Sequence, residues 1–280
     1  MHKFVLYTGG GLGDFYVQYF MNSWAKLHTL RDIGFTSTIH SYHNSHNLST
    51  LAMTTYIPNT TQEYHNYVRH FHDIKEQLKI EQHHIDIESM FDFSKIASKE
   101  VPIYLAPGEQ EVIDHLPDKF ITIHPQAGTA DRAMLCYLDM NILLTEVSKL
   151  APIVLLGGSG ERTGFNRSLR ETGDYGVPVI DFVNSQSARV QTQAIKDCNM
   201  FIGSFSAYFV AALGLNKNAI VTVDEHSYNR IQKDQSSKYF TITKDSPLVS
   251  IYNWNYKDKR LATAQILELI YDRWTNLPNL

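Results

Sequence analysis

A glycine-rich turn near the start of the chain, followed at once by an aspartate, is the first stretch that could do chemistry. Gly9, Gly10, Gly11 and Gly13 come directly after a short apolar run, and Asp14 follows them. Glycine lets a ligand approach the backbone closely, so the amides of this turn are suited to an anion or a sugar. Asp14 is then either a reacting carboxylate or the N-cap of the next helix, a role that aspartate often fills.

The spacing of the glycines disfavours the two common nucleotide-binding motifs. The dinucleotide fingerprint needs glycine at relative positions 1, 3 and 6. Counted from Gly9 the sixth position is Asp14, and counted from Gly11 it is Tyr16. The second glycine cluster, residues 157–164, fails the same test, and the Walker lysine pattern is absent. A nicotinamide-dependent dehydrogenase and a P-loop enzyme are therefore disfavoured.

Metal-ligating residue types do not fall into a metal-binding pattern. Cys136 and Cys198, the two cysteines, are far apart in the sequence and are expected to be buried free thiols. Eleven of the 13 histidines precede residue 116, yet no pair has the helical spacing and acidic companion of a zincin. We predict no metal site and treat these histidines as loop residues.

Strands that alternate with helices must position these loops, and such alternation predicts parallel sheets covered on both faces. The apolar runs predict strands over residues 3–8, 37–42, 101–106, 120–125, 152–158, 177–182, 200–204, 218–223 and 239–243. Helical periodicity predicts helices over residues 14–30, 62–80, 107–116, 140–150, 187–198, 206–215 and 261–274.

The series breaks near residue 117, which predicts two domains of α/β class. Residues 1–117 and 118–260 are each expected to form a Rossmann-like domain, with the helix in 261–280 packing back toward the first. The two domains would face each other across a cleft, where ligands usually bind. The chain has 280 residues and a net charge of −4, so there is no overall basic footprint for nucleic acid. With no run of roughly 20 apolar residues, we expect a cytoplasmic protein without a membrane span.

Five loops, taken in order, resemble the heptosyltransferase group (glycosyltransferase family 9) of two-domain GT-B enzymes. The matching stretches are GLGDFYVQYF, ITIHPQAGTADRA, VLLGGSGE, VIDFVNSQSARVQTQAI and CNMFIGSFSAYFVAALGLNKNAIVTV. The similarity is strong over about 119–223, local over 4–20 and absent over 43–100. The acceptor-binding half of the family is therefore not recognisable in this chain.

The resemblance implies a metal-independent, inverting glycosyltransferase that moves a sugar from a nucleotide-diphosphate sugar to an acceptor hydroxyl. Asp14 matches the proposed general base of the family. The resemblance implies no cofactor, and the nucleotide-diphosphate sugar would be a substrate. The matching donor-site positions are Gly128, Thr129, Arg132, Glu161, Asp181, Ser206 and Ala207, while Gly10, Gly11 and Gly13 would approach the sugar or the acceptor.

Departures from the family pattern leave alternatives open. Phe205, Ala207 and Phe209 stand where the family has aspartate, glycine and histidine, so a donor other than heptose is expected. A nucleotide-binding or nucleotide-sugar-binding protein without catalysis is one alternative, and a sugar-nucleotide epimerase is a weaker one. Residues 228–260 combine seven Lys/Arg and three Asp with several aromatic residues. This composition keeps a phage-type DNA-base glycosyltransferase as a further alternative.

Overall fold

The chain forms two units, each with its own parallel sheet. In the first unit, Met1–Tyr104, strand β1 (Lys3–Thr8) pairs in parallel with β2 (Thr36–Ser41). The second unit is Leu105–Leu280. The structure, a computed structural model, describes residues 3–8, 36–41, 103, 105–126, 135–157, 175–183, 185–233, 243–253 and 258–277.

The second unit is built on a six-stranded sheet in which every neighbouring pair of strands is parallel. The strand order is β5-β4-β3-β6-β7-β8, so the direction of winding reverses between β3 and β6. This is the strand order of a doubly wound Rossmann sheet. The predicted α/β class is thereby confirmed. The strands are β3 (Ile121–His124), β4 (Ile153–Leu155), β5 (Val179–Asp181), β6 (Met200–Ser204), β7 (Ala219–Val223) and β8 (Val249–Asn253).

Helices connect these strands, and several of the helices have a polar N-cap residue. Asp139, Ser187, Ser206 and Asp258 each accept a hydrogen bond from an amide in the first turn of the following helix. Among the described residues, no helix combines the length and apolarity needed to cross a membrane. The helices are α1 (Pro107–Asp114), α2 (Met140–Ser148), α3 (Ala188–Asp197), α4 (Ala207–Gly214), α5 (Glu225–Lys233) and α6 (Lys259–Thr275), with a 3-10 turn at Leu135–Tyr137.

The central strands β3, β6 and β7 are buried along their whole length. Helices on both faces exclude water, which explains why these strands read as continuous apolar runs rather than alternating ones. Cys136 and Cys198 are buried thiols that form no disulfide, as predicted. Burial raises the pKa of the Cys198 thiol, which is consistent with a packing role.

The C-terminal helix α6 packs inside the second unit, and its predicted contact with the first domain stays a prediction. Ala262, Ile266 and Ile270 are part of the core cluster that also contains β3 and α2 residues. The Thr263 hydroxyl accepts a hydrogen bond from the Asp139 amide at 3.0 Å. The apolar face of α6 is therefore buried against α2 and the sheet.

The boundary between the units also differs from the predicted one. The structure divides the chain between Tyr104 and Leu105, so α1 belongs to the second unit and not to a first domain ending at residue 117. The physical reason is a contact between α1 and α3. Glu109 of α1 forms a salt bridge with Arg189 of α3, with Oε2 and Nη2 2.7 Å apart.

Candidate functional site

The point where the strand order reverses, between β3 and β6, is the natural ligand position in the second unit. In open parallel sheets, ligands bind beyond the carboxyl ends of the strands at such a point. His124 ends β3 and lies opposite Gly203 of β6. The segments that leave these two strands therefore start side by side at the same edge.

His124 and Ser206 form a hydrogen bond across this edge. The Nδ1 atom of His124 and the Oγ atom of Ser206 are 2.9 Å apart. His124 is only 2% exposed, and its ring meets the Tyr208 ring edge to face with centroids 4.8 Å apart. The buried His124 ring contacts both Ser206 and Tyr208, and it therefore helps to fix the position of the half-buried Ser206 hydroxyl.

Ser206 is also the N-cap of α4. Its Oγ accepts a long hydrogen bond from the Phe209 amide at 3.5 Å, and α4 begins at Ala207. The start of a helix carries a partial positive charge and amides that face outward. Ser206 and Ala207 therefore place a hydroxyl and a helix N-terminus together at the switch point, an arrangement suited to a phosphate.

Close approach of β3 and β6 at this edge depends on Gly203. A Cβ atom at Gly203 would lie 2.7 Å from the ring of Phe201 and 3.0 Å from the carbonyl oxygen of His124. Phe201 is fully buried, so its ring has little room to move aside. The absence of a side chain at residue 203 thus preserves the backbone position of His124.

The described residues on either side of segment 127–134 are bonded to β6. The Ser204 hydroxyl donates to the Pro125 carbonyl at 3.0 Å and accepts from the Leu135 amide at 3.3 Å. The Cys136 amide donates to the same Pro125 carbonyl at 2.9 Å. Both ends of the segment that carries the predicted Gly128, Thr129 and Arg132 are therefore attached next to Ser206, although those three residues lie outside the described residues.

Asp181 ends β5 at the same edge, and its carboxylate is engaged by the protein. Oδ2 accepts a hydrogen bond from the Tyr175 hydroxyl, and Oδ1 accepts one from the Val183 amide at 2.8 Å. Strands β4 and β3 separate β5 from β6, so Asp181 is roughly 14 Å from Ser206 across three strand spacings. Asp181 supports the turn after β5 and does not adjoin the His124–Ser206 pair.

Most of the predicted site lies outside the described residues. The structure describes Asp181, Ser206 and Ala207, and it brings the last two together with His124. The structure gives His124, at the end of β3, a contact to Ser206. The predicted residues outside the described ranges are Asp14, Gly10, Gly11, Gly13, Gly128, Thr129, Arg132 and Glu161.

The aromatic residues that replace the polar residues of the family motif are buried. Phe205 is 8% exposed and Phe209 is fully buried, and their ring centroids are 5.8 Å apart. Their packing stabilises the turn between β6 and α4 from within. Neither side chain offers a polar group to a ligand.

The aromatic residues of the basic region 228–260 include one that packs within the second unit. Tyr252 of β8 lies against the apolar core, and its hydroxyl donates to Gln265 at 2.8 Å. The ring of Tyr252 is therefore used in packing, and stacking on a nucleic acid base would need other residues.

A partly buried charge cluster that the sequence did not reveal holds the start of α3. The Glu109 carboxylate accepts hydrogen bonds from the Ala106 amide at 2.8 Å, the Ser187 hydroxyl at 2.7 Å and the Arg189 guanidinium at 2.8 Å. Burial raises the pKa of Glu109, but the hydrogen bonds and the charge of Arg189 outweigh it and lower the pKa below its ordinary value.

The lowered pKa of Glu109 predicts an acid-dependent contribution to stability. A carboxyl with a lower pKa in the folded state stabilises the fold above its unfolded-state pKa, and loses that contribution as pH falls through the folded-state pKa. We expect the urea midpoint of the unchanged protein to fall more steeply below about pH 4.3, the usual glutamate pKa, than that of Glu109→Gln. Urea unfolding at a series of pH values tests this. Glu111→Gln, an exposed change on the same helix, is the control, and parallel curves for Glu109→Gln and the unchanged protein would contradict the assignment.

Known proteins resemble this chain in structure but not in sequence. No protein-family model matches the chain, and no curated protein matches its sequence. Solved structures do match along almost the whole chain. A family 9 glycosyl transferase from Veillonella parvula has 10% identity and a TM-score of 0.61, over 98% of this chain and 97% of that one.

Two heptosyltransferases from E. coli also match. ADP-heptose lps heptosyltransferase II has 11% identity and a TM-score of 0.56, over 98% of this chain and 99% of its own. Heptosyltransferase WaaC with ADP has 9% identity and a TM-score of 0.52, over 97% and 99%. The chain has the fold of these glycosyltransferases. The predicted resemblance is therefore confirmed for the fold.

Proposed function

We propose that the protein is a metal-independent, inverting glycosyltransferase that uses a nucleotide-diphosphate sugar as donor. The observation that carries this proposal is the His124–Ser206 pair, which lies at the switch point of a Rossmann-ordered sheet and at the start of α4. The Ser206 hydroxyl and the N-terminus of α4 suit a diphosphate. Arg132, in the loop after β3, is predicted to contribute a positive charge.

The departing nucleoside diphosphate gains negative charge as the bond to the sugar breaks. Partial positive charge at the start of α4, the Ser206 hydroxyl and the predicted Thr129 and Arg132 would stabilise that charge without a metal ion. On the other side of the sugar, an acceptor hydroxyl must lose its proton. The predicted general base is Asp14, the carboxylate of the glycine turn.

The remaining predicted donor contacts involve the neighbouring strand ends. Glu161 is proposed to hold the ribose, and Gly128 to let the chain approach the diphosphate. Asp181 contributes by supporting the turn after β5, since both of its oxygen atoms accept hydrogen bonds within the protein. Gly10, Gly11 and Gly13 are proposed to leave room for the sugar or the acceptor.

A second candidate, a nucleotide-sugar-binding protein without catalysis, is favoured by one observation. The turn between β6 and α4 contains the buried Phe205 and Phe209 where the family has polar residues that help to bind the donor. Such a protein would bind a nucleoside diphosphate at the same place and release no product. Release of nucleoside diphosphate from a bound sugar nucleotide distinguishes the two functions.

Nucleoside diphosphates are expected to raise the thermal stability of the protein. A ligand present at 100 times its dissociation constant stabilises the folded state by about 2.7 kcal/mol. We propose a thermal-shift screen with ADP, GDP, UDP and CDP, with each shift measured against the same protein without ligand. If none of the four shifts the unfolding temperature, the proposed donor site is contradicted.

Removing the Ser206 hydroxyl is expected to weaken binding of the diphosphate found in this screen. The loss of one hydrogen bond corresponds to about 0.5–1.5 kcal/mol, or roughly 2- to 13-fold in affinity. Ser206→Thr keeps the hydroxyl and should bind nearly as well as the unchanged protein. Ser148→Ala, a change at the last residue of α2, is the control. Equal affinity in Ser206→Ala and the unchanged protein would remove Ser206 from the site.

A further inference from the structure

The hydrogen bond between His124 and Ser206 can run in either direction, and the direction decides what Ser206 offers to a ligand. The Nδ1 atom of His124 and the Oγ atom of Ser206 are 2.9 Å apart. A neutral imidazole carries its proton on one nitrogen and accepts through the other, whereas a serine hydroxyl both donates and accepts. A ring with a proton on Nδ1 therefore donates to Ser206, and a ring without one accepts from it.

The hydroxyl of Ser206 has one hydrogen and two lone pairs to distribute. The Phe209 amide uses one lone pair where Ser206 caps α4. If His124 donates through Nδ1, the second lone pair is used and the hydroxyl hydrogen points to neither of these two partners. If His124 accepts, the hydrogen is used and a lone pair is what Ser206 has left. The first arrangement offers a ligand a donor, and the second offers it an acceptor.

A phosphate oxygen at the start of α4 can accept from Ser206 only in the first arrangement. Ionised phosphate oxygens are strong hydrogen-bond acceptors, and the partial positive charge of a helix N-terminus favours them. A lone pair of Ser206 in that position would repel the same oxygen. Binding of a diphosphate therefore favours a proton on Nδ1 of His124, because a ligand shifts an equilibrium toward the form that it binds better.

The His124 ring is held so that Nδ1 stays beside Ser206. His124 is 2% exposed and ends β3, opposite Gly203 of β6. Its ring packs edge to face against Tyr208, a buried residue in the first turn of α4, with centroids 4.8 Å apart. The ring is thus fixed by the strand on one side and by the helix on the other. A rotation of the ring away from Ser206 would disrupt close packing.

We propose that His124 is a positioning residue for the donor diphosphate, an inference that rests on the proposed donor site. His124 donates from Nδ1 to Ser206 and so leaves the hydroxyl hydrogen of Ser206 for a phosphate oxygen. His124 acts through Ser206 and forms no bond to the diphosphate itself. Its contribution to the affinity is therefore lost when the Ser206 hydroxyl is absent.

Two variants separate the hydrogen bond from the packing of the ring. His124→Asn lacks the ring but keeps an N–H donor near the place of Nδ1, because the amide nitrogen and Nδ1 are both bonded to Cγ. His124→Phe keeps a ring against Tyr208 and lacks the donor.

The affinities of these two variants should differ in a defined order. We expect His124→Phe to bind the diphosphate roughly 2- to 13-fold more weakly than the unchanged protein, the same range as for Ser206→Ala. His124→Asn should bind it nearly as well as the unchanged protein. Calorimetric titration with whichever of ADP, GDP, UDP and CDP binds most tightly measures both. The opposite order would show that packing of the ring matters and the hydrogen bond does not, and would overturn the proposal.

A double-mutant cycle tests whether His124 acts through Ser206. Ser206→Ala combined with His124→Phe should bind the diphosphate as tightly as Ser206→Ala alone, because the hydroxyl that His124 positions is already gone. If His124→Phe lowers the affinity by the same factor with and without the Ser206 hydroxyl, the coupling is absent and the positioning role is wrong.

Nitrogen NMR of the unchanged protein, labelled at histidine, reports the proton directly and needs no variant. In the complex with the diphosphate, Nδ1 of His124 should carry a bonded proton, and an unprotonated Nδ1 in that complex would contradict the inference. If Ser206→Ala binds more weakly and His124→Phe binds as tightly as the unchanged protein, the donor site stands and the positioning role fails. If the unchanged protein binds none of the four diphosphates, the donor site fails and the positioning role fails with it.

Discussion

Replacing Ile266 by alanine is expected to lower the free energy of unfolding by about 2–5 kcal/mol. Ile266 is fully buried on α6 and belongs to the core cluster of the second unit. Removing three of its carbon atoms leaves a cavity that close-packed neighbours fill only in part. The measurement is urea unfolding followed by circular dichroism.

The same variant tests where the C-terminal helix belongs. Hydrogen exchange of β3 and β6 should become faster in Ile266→Ala, because both strands share the core with α6. Leu261→Ala is the control, since Leu261 is 55% exposed on the same helix and surface changes usually alter stability by less than about 0.5 kcal/mol. Faster exchange confined to residues 1–104 would contradict the packing of α6 in the second unit and support the predicted contact of the helix with the first domain.

The strands of the second unit were predictable because the sheet is covered on both faces. Continuous apolar runs such as those of β6 and β7 have few alternatives to a buried parallel strand. Strand β8 was not predicted. Its residues Val249–Asn253 are half-buried or exposed at the edge of the sheet, and serine and asparagine interrupt the apolar pattern.

The surface against which α6 packs could not be predicted from its sequence, for a different reason. A repeat of apolar residues at Ala262, Ile266 and Ile270 shows that one face of a helix is buried. It does not show which surface buries that face. The partner is decided by the shape of the gap beside α2 and the sheet, and by single contacts such as Thr263 with the Asp139 amide.

The residues of the candidate site were also predictable only where the signal is local in the sequence. Ser206 was predicted from the family resemblance, and a serine between an apolar strand and a helix is also a local signal for an N-cap. Gln191 and the Glu109–Arg189 pair were not, since their partners lie far away in the sequence. A glutamine within an amphipathic helix reads as a surface residue. Gln191 is buried only because α3 packs against the end of β4, where its side chain bonds both the amide and the carbonyl of Gly157.

Replacing Asp14 by asparagine is expected to reduce turnover by about 10²–10⁴-fold, the usual contribution of a general base. Asparagine has nearly the same shape but cannot take the proton of the acceptor hydroxyl. The measurement is the release of nucleoside diphosphate from the sugar nucleotide that binds the protein, which counts transfer to any hydroxyl, water included. Asp118→Asn, a change at an exposed position, is the control.

Comparison of Asp14→Asn with Ser206→Ala separates the base from the donor site. Asp14→Asn should bind the nucleoside diphosphate as tightly as the unchanged protein, because the base acts on the acceptor. Ser206→Ala should bind it more weakly if the Ser206 hydroxyl contacts the diphosphate, as proposed. Full turnover in Asp14→Asn would exclude Asp14 as the base. Loss of diphosphate binding in the same variant would instead indicate that the carboxylate contacts the donor.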